Sequence, residues 1–159
     1  MIVLSLGSNL DDKEENLKTA LYHLAENEKI EILKVSKIYK TSPWGDVAKG
    51  DFLNICVSIK TTLNPFSLLE YLNFIEDKMK RVRREKWGDR NIDIDIVIFN
   101  DAIIKSKKLT IPHKHFNVRN FVLYPLLDVA GDVVILEKKI SQFITELSDE
   151  KIEIYKNNF

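Results

Sequence analysis

One cysteine, five glycines and four prolines are spread over 159 residues, and 24 Lys and Arg balance 24 Asp and Glu. Each scarcity narrows the function. The lone Cys56 cannot close an internal disulfide, which suits a reducing compartment. Its strand-like surroundings make it a packed thiol rather than a reactive one. None of the glycines falls in a G-x-x-x-x-G-K-[ST] segment, so this is not a P-loop protein. A net charge of zero argues against a general binder of nucleic acid or membrane, which carries a basic excess. No apolar span is long enough for a membrane helix, and the first residues run into a strand pattern rather than a signal peptide. The expected location is cytoplasmic. The expected assembly is a monomer, with no nucleic-acid and no membrane partner.

What is present is ordinary in bulk: 45% hydrophobic and 30% charged residues, with no internal repeat. A single domain over residues 1–159, with a sizeable core, is expected. The informative stretch is 87–99, where Ile92, Asp93, Ile94, Asp95 and Ile96 alternate. In a strand, Asp93 and Asp95 share one face and Ile92, Ile94, Ile96 and Ile98 take the other. The two carboxylates then stand about 6–7 Å apart at Cβ. Val97 and Phe99 are expected to continue the Asp face as apolar cover. Like charges at the rim of a covered sheet repel unless a cation lies between them, and Mg²⁺ accepts a few carboxylate oxygens plus substrate phosphates. A solvated face is the bland alternative. Just upstream, Lys78, Lys80, Arg81, Arg83, Arg84, Lys86 and Arg90 face only Glu85 and Asp89. Cations for phosphate oxygens beside carboxylates for Mg²⁺ are the equipment of phosphoryl transfer.

The remaining pattern frames that strand. Residues 2–6 read as a buried strand ended by Gly7-Ser8-Asn9, with Asp11 or Asp12 capping a helix that carries Leu17, Ala20, Leu21 and Leu24. Residues 30–41 read as a long strand with a bulge or bend near 34–37, followed by a loop over 42–51. In 52–61, Leu53, Ile55, Val57 and Ile59 face a core, with Phe52, Asn54, Cys56 and Ser58 opposite. Asn64-Pro65 starts a second helix with the stripe Leu68, Leu72, Ile75, Met79 and Val82. A strand ends at Pro112, and a short helix over 117–127 is interrupted or ended near Pro125. A small strand at 133–136, a last amphipathic helix through Ile140, Phe143, Ile144 and Leu147, and a peripheral tail from Lys151 complete the reading. The order βαββαβ indicates an α+β, ferredoxin-like fold: an antiparallel-rich sheet with helices on both faces.

Five ordered blocks resemble one known family, 6-hydroxymethyl-7,8-dihydropterin pyrophosphokinase of folate biosynthesis. They are Leu6-Gly7-Ser8-Asn9; Tyr39-Lys40-Thr41-Ser42-Pro43; Phe52-Leu53-Asn54; Arg81-Val82-Arg83 with Trp87-Gly88-x-Arg90-x-Ile92-Asp93-Ile94-Asp95-Ile96; and Leu109-Thr110-Ile111-Pro112-His113 followed by Arg119-x-Phe121-Val122-Leu123-x-Pro125-Leu126. The resemblance implies transfer of the β,γ-pyrophosphoryl group of ATP to the pterin hydroxymethyl group, leaving AMP. It implies two Mg²⁺ ions on Asp93 and Asp95, and Arg81 and Arg90 as catalytic basic residues that stabilise the transferring group and assist turnover. ATP contacts would fall to Asn73, Glu76, Arg83, Lys86, Trp87, Arg90, Ile96, Lys108, Thr110, His113, Lys114 and Arg119. The pterin would meet Thr41, Pro43, Trp44, Phe52, Asn54, Trp87, Asp93 and Phe121. Phe52 replaces a tyrosine common in the family, Lys114 an aromatic and Trp44 a smaller apolar residue, and the loop at 84–86 is short. The chain reads as a stand-alone version without fused folate-pathway domains. The competing classes are a nucleic-acid-binding module on a split βαβ fold and a two-metal nuclease or polymerase fragment. The former needs an RNP1-like aromatic pattern, which Phe52-Leu53-Asn54-Ile55-Cys56 does not supply.

Overall fold

A computed structural model describes residues 1–42, 50–79, 91–147 and 152–159. The elements are β1 (Ile2–Ser8), α1 (Lys13–Ala25), β2 (Ile30–Val35), β3 (Ile38–Thr41), β4 (Phe52–Thr61), α2 (Pro65–Lys78) and β5 (Asp93–Phe99). Then come the short pair β6 (Ile104–Lys105) and β7 (Thr110–Ile111), α3 (Asn120–Ala130), the hairpin β8 (Val134–Ile135) and β9 (Lys138–Lys139), α4 (Ile140–Glu146) and β10 (Ile152–Lys156). The main sheet runs β10-β3-β4-β1-β5, with β2 also on β4, and every pairing is antiparallel. With β2 and β3 taken as one bent strand, this is the ferredoxin-like βαββαβ arrangement.

Local chemistry explains the boundaries. The Asp12 carboxylate accepts from Glu15 N–H at 3.1 Å, and Asn64 Oδ1 from Ser67 N–H at 2.9 Å with Pro65 just behind it. One face of the sheet packs Leu4, Leu6, Ile55, Val57, Ile94 and Ile96 against Leu17, Leu24, Leu68, Leu72 and Ile75 of α1 and α2. The other packs Val3, Cys56 and Val97 against Val122, Leu123 and Leu126 of α3 and Phe143 of α4. Each fully buried aliphatic contributes about 1.5–3 kcal/mol to that two-sided core.

Three irregularities position the site. The first is the expected bend. The register of β2 on β4 shifts between Ile32 and Lys34, and the ladder breaks at Ser36. There Ser36 N–H donates to the Cys56 carbonyl at 2.9 Å, while its Oγ accepts from Cys56 N–H at 2.9 Å and donates to the Lys37 carbonyl at 2.7 Å. The second is Asp128 of α3, which accepts from Lys37 N–H at 3.2 Å and Tyr39 O–H at 2.8 Å. Burial and the Asp128 carboxylate push the Tyr39 phenol above its ordinary range, so it stays a donor.

The third corrects the alternation expected beyond Asp95. Leu4 pairs with Ile96 but Val3 pairs with Ile98, so Val97 is the extra residue of a bulge. Val97 and Ile98 therefore both enter the α3 core, and Phe99 enters the α1/α2 core.

Three further expectations are corrected. Gly7 lies within β1, which continues to Ser8, because both its neighbours β4 and β5 pair that far or to Gly7. The helix near Pro125 begins at Asn120 and runs through the proline to Ala130, held by Leu126 and Val129 in the core. The tail is no periphery, since β10 pairs with β3.

Asp128→Ala removes two acceptor contacts that bind α3 to the β2–β3 break. We expect a loss of about 2 kcal/mol in urea unfolding; a loss below about 0.5 kcal/mol would show that the clamp is idle.

Candidate active site

Strand β1 lies between β4 and β5, and its residues decide how open the second sheet face is. Leu4 and Leu6 enter the α1/α2 core, so Ser5 and Gly7 lie on the opposite face. There Gly7 sits between Asn54 and Asp93, and Ser5 between Cys56 and Asp95. A glycine and a serine leave a shallow floor with an amide on one side and two carboxylates on the other. The Asn54 amide is buried, and its Nδ2 donates to Thr41 Oγ1 at 3.1 Å. A Cβ on Gly7 would stand 2.7 Å from Asn54 Oδ1, so only glycine leaves that amide where it is.

This floor belongs to a cleft of about 690 Å³, open mouth included. Phe52, Asn54, Thr41, Asp93 and Phe121, all expected around the pterin, line it together. The Arg119 guanidinium lies 5.5 Å from the centre of the Phe121 ring. A second cleft, about 1060 Å³, follows the outer edge of β5 between α2 and residues 107–115. Asn73, Glu76, Ile96, Lys108, Thr110, His113, Lys114 and Arg119, all expected around ATP, line this one. Glu76, 4% exposed, reaches from α2 to accept Ile94 N–H at 3.4 Å. Asp93, Asp95, His113 and Arg119 line both clefts, so the carboxylate pair stands where they meet.

His113 is placed by the bulge. The Val97 carbonyl accepts His113 N–H at 2.9 Å. The ring Nδ1 accepts His115 N–H at 3.2 Å, so the neutral ring carries its proton on Nε2, 3.8 Å from Asp95 Oδ2. Burial, then the positive Arg119 and the neighbouring His115, hold this histidine down to about 4 against the opposing pull of Asp93. It is therefore a neutral donor aimed at the junction.

Among the described residues no three His, Cys, Asp or Glu side chains converge as a metal cluster. A cation at Asp93 and Asp95 would take its other oxygens from ligands, which suits a hard divalent ion carried by phosphates. Pro43, Trp44, Arg81, Arg83, Lys86, Trp87 and Arg90 lie outside the described residues, as does Val82 of the α2 stripe. Sequence reasoning missed Ser5 as floor and read Gly7 as a turn. The signal was small residues alternating with Leu4 and Leu6. It also missed Lys107 on the second cleft, for which no pattern stood out; His115, which with His113 flanks Lys114 in the sequence, lines the same cleft.

Fold and clefts together define a split βαβ domain whose two clefts share one carboxylate rim. Residues 3–131 match the family model described as 7,8-dihydro-6-hydroxymethylpterin-pyrophosphokinase. The chain is 40% identical over 150 residues to 2-amino-4-hydroxy-6-hydroxymethyldihydropteridine pyrophosphokinase of Methylorubrum extorquens, covering 94% of this chain and 95% of that one. It is 39% identical to the protein of the same name in Bacillus subtilis, covering 96% and 89%. This chain belongs to the 7,8-dihydro-6-hydroxymethylpterin-pyrophosphokinase family. Its fold is shared with wild-type Plasmodium falciparum HPPK-DHPS solved with pteroate, at a TM-score of 0.73 and 20% identity. That match covers 91% of this chain but 42% of the longer Plasmodium one.

Gly7→Ala tests the floor directly. We expect it to displace the Asn54 amide, break its bond to Thr41 and cost about 1–3 kcal/mol. An unchanged Asn54 side-chain amide resonance, with unchanged stability, would contradict the close approach.

Proposed function

We propose that this chain transfers the pyrophosphoryl group of ATP to the hydroxymethyl group of 6-hydroxymethyl-7,8-dihydropterin, giving AMP and the pterin diphosphate, with two Mg²⁺ ions. The observation that carries this reading is the shared rim: Asp93 and Asp95 belong to both clefts. A phosphate chain lying along one cleft and an acceptor hydroxyl in the other would meet there. The hydroxyl oxygen forms a bond to the β-phosphorus. The bond from that phosphorus to the bridging oxygen breaks, AMP leaves with that oxygen, and the hydroxyl proton is released.

The flat pterin lies in the first cleft, stacked between Phe52 and Phe121. Asn54, with its orientation set by Thr41 and Gly7, reads the ring edge, and a wrong heterocycle would leave that buried amide unpaired. The family resemblance assigns Pro43, Trp44 and Trp87 to the pterin as well. ATP lies in the second cleft, with its base and ribose near Asn73, Glu76, Ile96, Lys108 and Thr110. His113 donates from Nε2 to a phosphate oxygen, and Arg83, Lys86, Trp87, Lys114 and Arg119 complete that grip. Arg81 and Arg90 steady the transferring group. Asp93 and Asp95 hold the magnesium, which when bound neutralises phosphate charge and orients the in-line attack.

The likeness at 40% and 39% identity over nearly whole chains supports the reaction. Among the described residues no helix is long and apolar enough to cross a membrane. We read the protein as one pterin pyrophosphokinase domain, monomeric and cytoplasmic, with small-molecule partners and no nucleic acid.

Mixing protein, Mg²⁺, ATP and hydroxymethyldihydropterin should give pterin-dependent AMP. ADP as product, or AMP without pterin dependence, would overturn the assignment. Asp95→Ala should lower kcat by at least about 10³-fold with the fold intact by circular dichroism; an active variant would remove the metal role. Phe121→Ala should raise the pterin KM about tenfold while the ATP KM holds, and equal losses would argue against stacking.

A further inference from the structure

Strand β10 lies beyond residues 3–131, the part that the family model matches, and forms the edge of the main sheet next to β3, which carries Thr41 of the first cleft. Its partner β3 has four residues and only three pairs to β4: Tyr39 with Asn54, Lys40 with Leu53 and Thr41 with Phe52. The Asp128 clamp grips this edge at Lys37 and Tyr39, so the far end of β3, at Thr41, leans more on strand pairing. Strand β10 supplies its second ladder, with Ile152 opposite Thr41, Glu153 opposite Lys40, Ile154 opposite Tyr39 and Lys156 opposite Ile38. The two ladders meet on Thr41, the hydroxyl that accepts from the Asn54 amide.

Side chains reinforce this pairing at both ends. Lys40 Nζ lies 3.6 Å from Asp51 and 3.9 Å from Glu153, joining β10 to the residue just before β4. These exposed pairs are individually weak, so they set geometry more than stability. At the other end, Lys156 Nζ donates to both Glu14 oxygens at 2.9 Å, fastening β10 to the first turn of α1. Ile154 itself is half exposed, so the strand is held by its backbone ladder and these end contacts rather than by a core of its own.

We propose that β10 is a positioning element of the pterin cleft: by completing the ladder of β3 it holds Thr41, and through it the Asn54 amide, in the orientation that reads the ring edge. This rests on the reading of the first cleft as the pterin site. The second cleft lies along β5, at the opposite edge of the sheet, and shares no residue with β3 or β10. Loss of the β10 ladder therefore falls on pterin recognition and spares ATP.

The test is Glu153→Pro and Ile154→Pro, each in the full chain, beside Ile154→Thr, which keeps the strand; neighbouring N–H groups of an edge strand point to opposite sides, so one of the two prolines removes a ladder donor. Amide exchange over residues 38–41 reports whether β10 has detached. With β10 detached we expect the pterin KM to rise about tenfold, on the order of one or two lost hydrogen bonds, at an unchanged ATP KM. Ile154→Thr should restore both exchange and KM. If either proline variant does not fold, the other carries the same measurement. Detachment with an unchanged pterin KM, or an equal rise in both KM values, would overturn the proposal. An unsubstituted chain without pterin-dependent AMP formation would bring down the reaction assignment itself.

Discussion

Two carboxylates two residues apart on one strand are the constraint that organises this molecule. Asp93 and Asp95 share a face of β5, and the residues beside them on β1 are Gly7 and Ser5, too small to cover them. Two carboxylates brought together at the meeting of two clefts repel each other. Among the described residues, His113 and Arg119 share the junction with the pair, and Ser5 and Gly7 form its floor. His113, held neutral by burial and by Arg119 and His115, offers an N–H rather than a charge. Arg119 lies on both clefts and over Phe121, so it links the second cleft to the aromatic side of the first.

The sheet reaches this arrangement through its breaks rather than its regular ladders. The Val97 bulge releases a carbonyl that takes His113 N–H, which brings a distant segment beside Asp95. The break at Ser36 lets one edge of β4 carry two short strands, so that Thr41 arrives opposite Phe52 and next to Asn54. Asp128 ties the same break to α3, whose first turn presents Phe121. Regular pairing supplies the platform, and irregular pairing aims the side chains.

Periodicity revealed most of this platform. The alternation at 92–96 and 53–59, the helical stripes through Leu17 and Leu68, and the caps Asp12 and Asn64 all fold as their spacing requires. The bend near Lys34 was legible because the alternation slips there. The Val97 bulge was not, because Val97, Ile98 and Phe99 are all apolar and suit either face. Nor was β10, whose partner is more than a hundred residues away and whose five residues are mostly exposed. In the site, the Asp pair was visible from composition and spacing alone. The grouping of Phe52 with Phe121, or of Asn73 with Lys108, depends on tertiary folding and came only with the family resemblance. The floor at Ser5 and Gly7 was written in the alternation of β1 but is recognisable only once β4 and β5 flank it.

The central claim is that Asp93 and Asp95 grip the metal at the junction of the clefts. The most direct measurement is a crystal structure of the protein with Mn²⁺ in place of Mg²⁺, a non-hydrolysable ATP analogue and the pterin, read by anomalous scattering. The account predicts metal peaks about 2.0–2.3 Å from carboxylate oxygens of both aspartates, shared with phosphate oxygens of the analogue. Metal bound to the analogue alone, with both aspartates turned away from it, would contradict it.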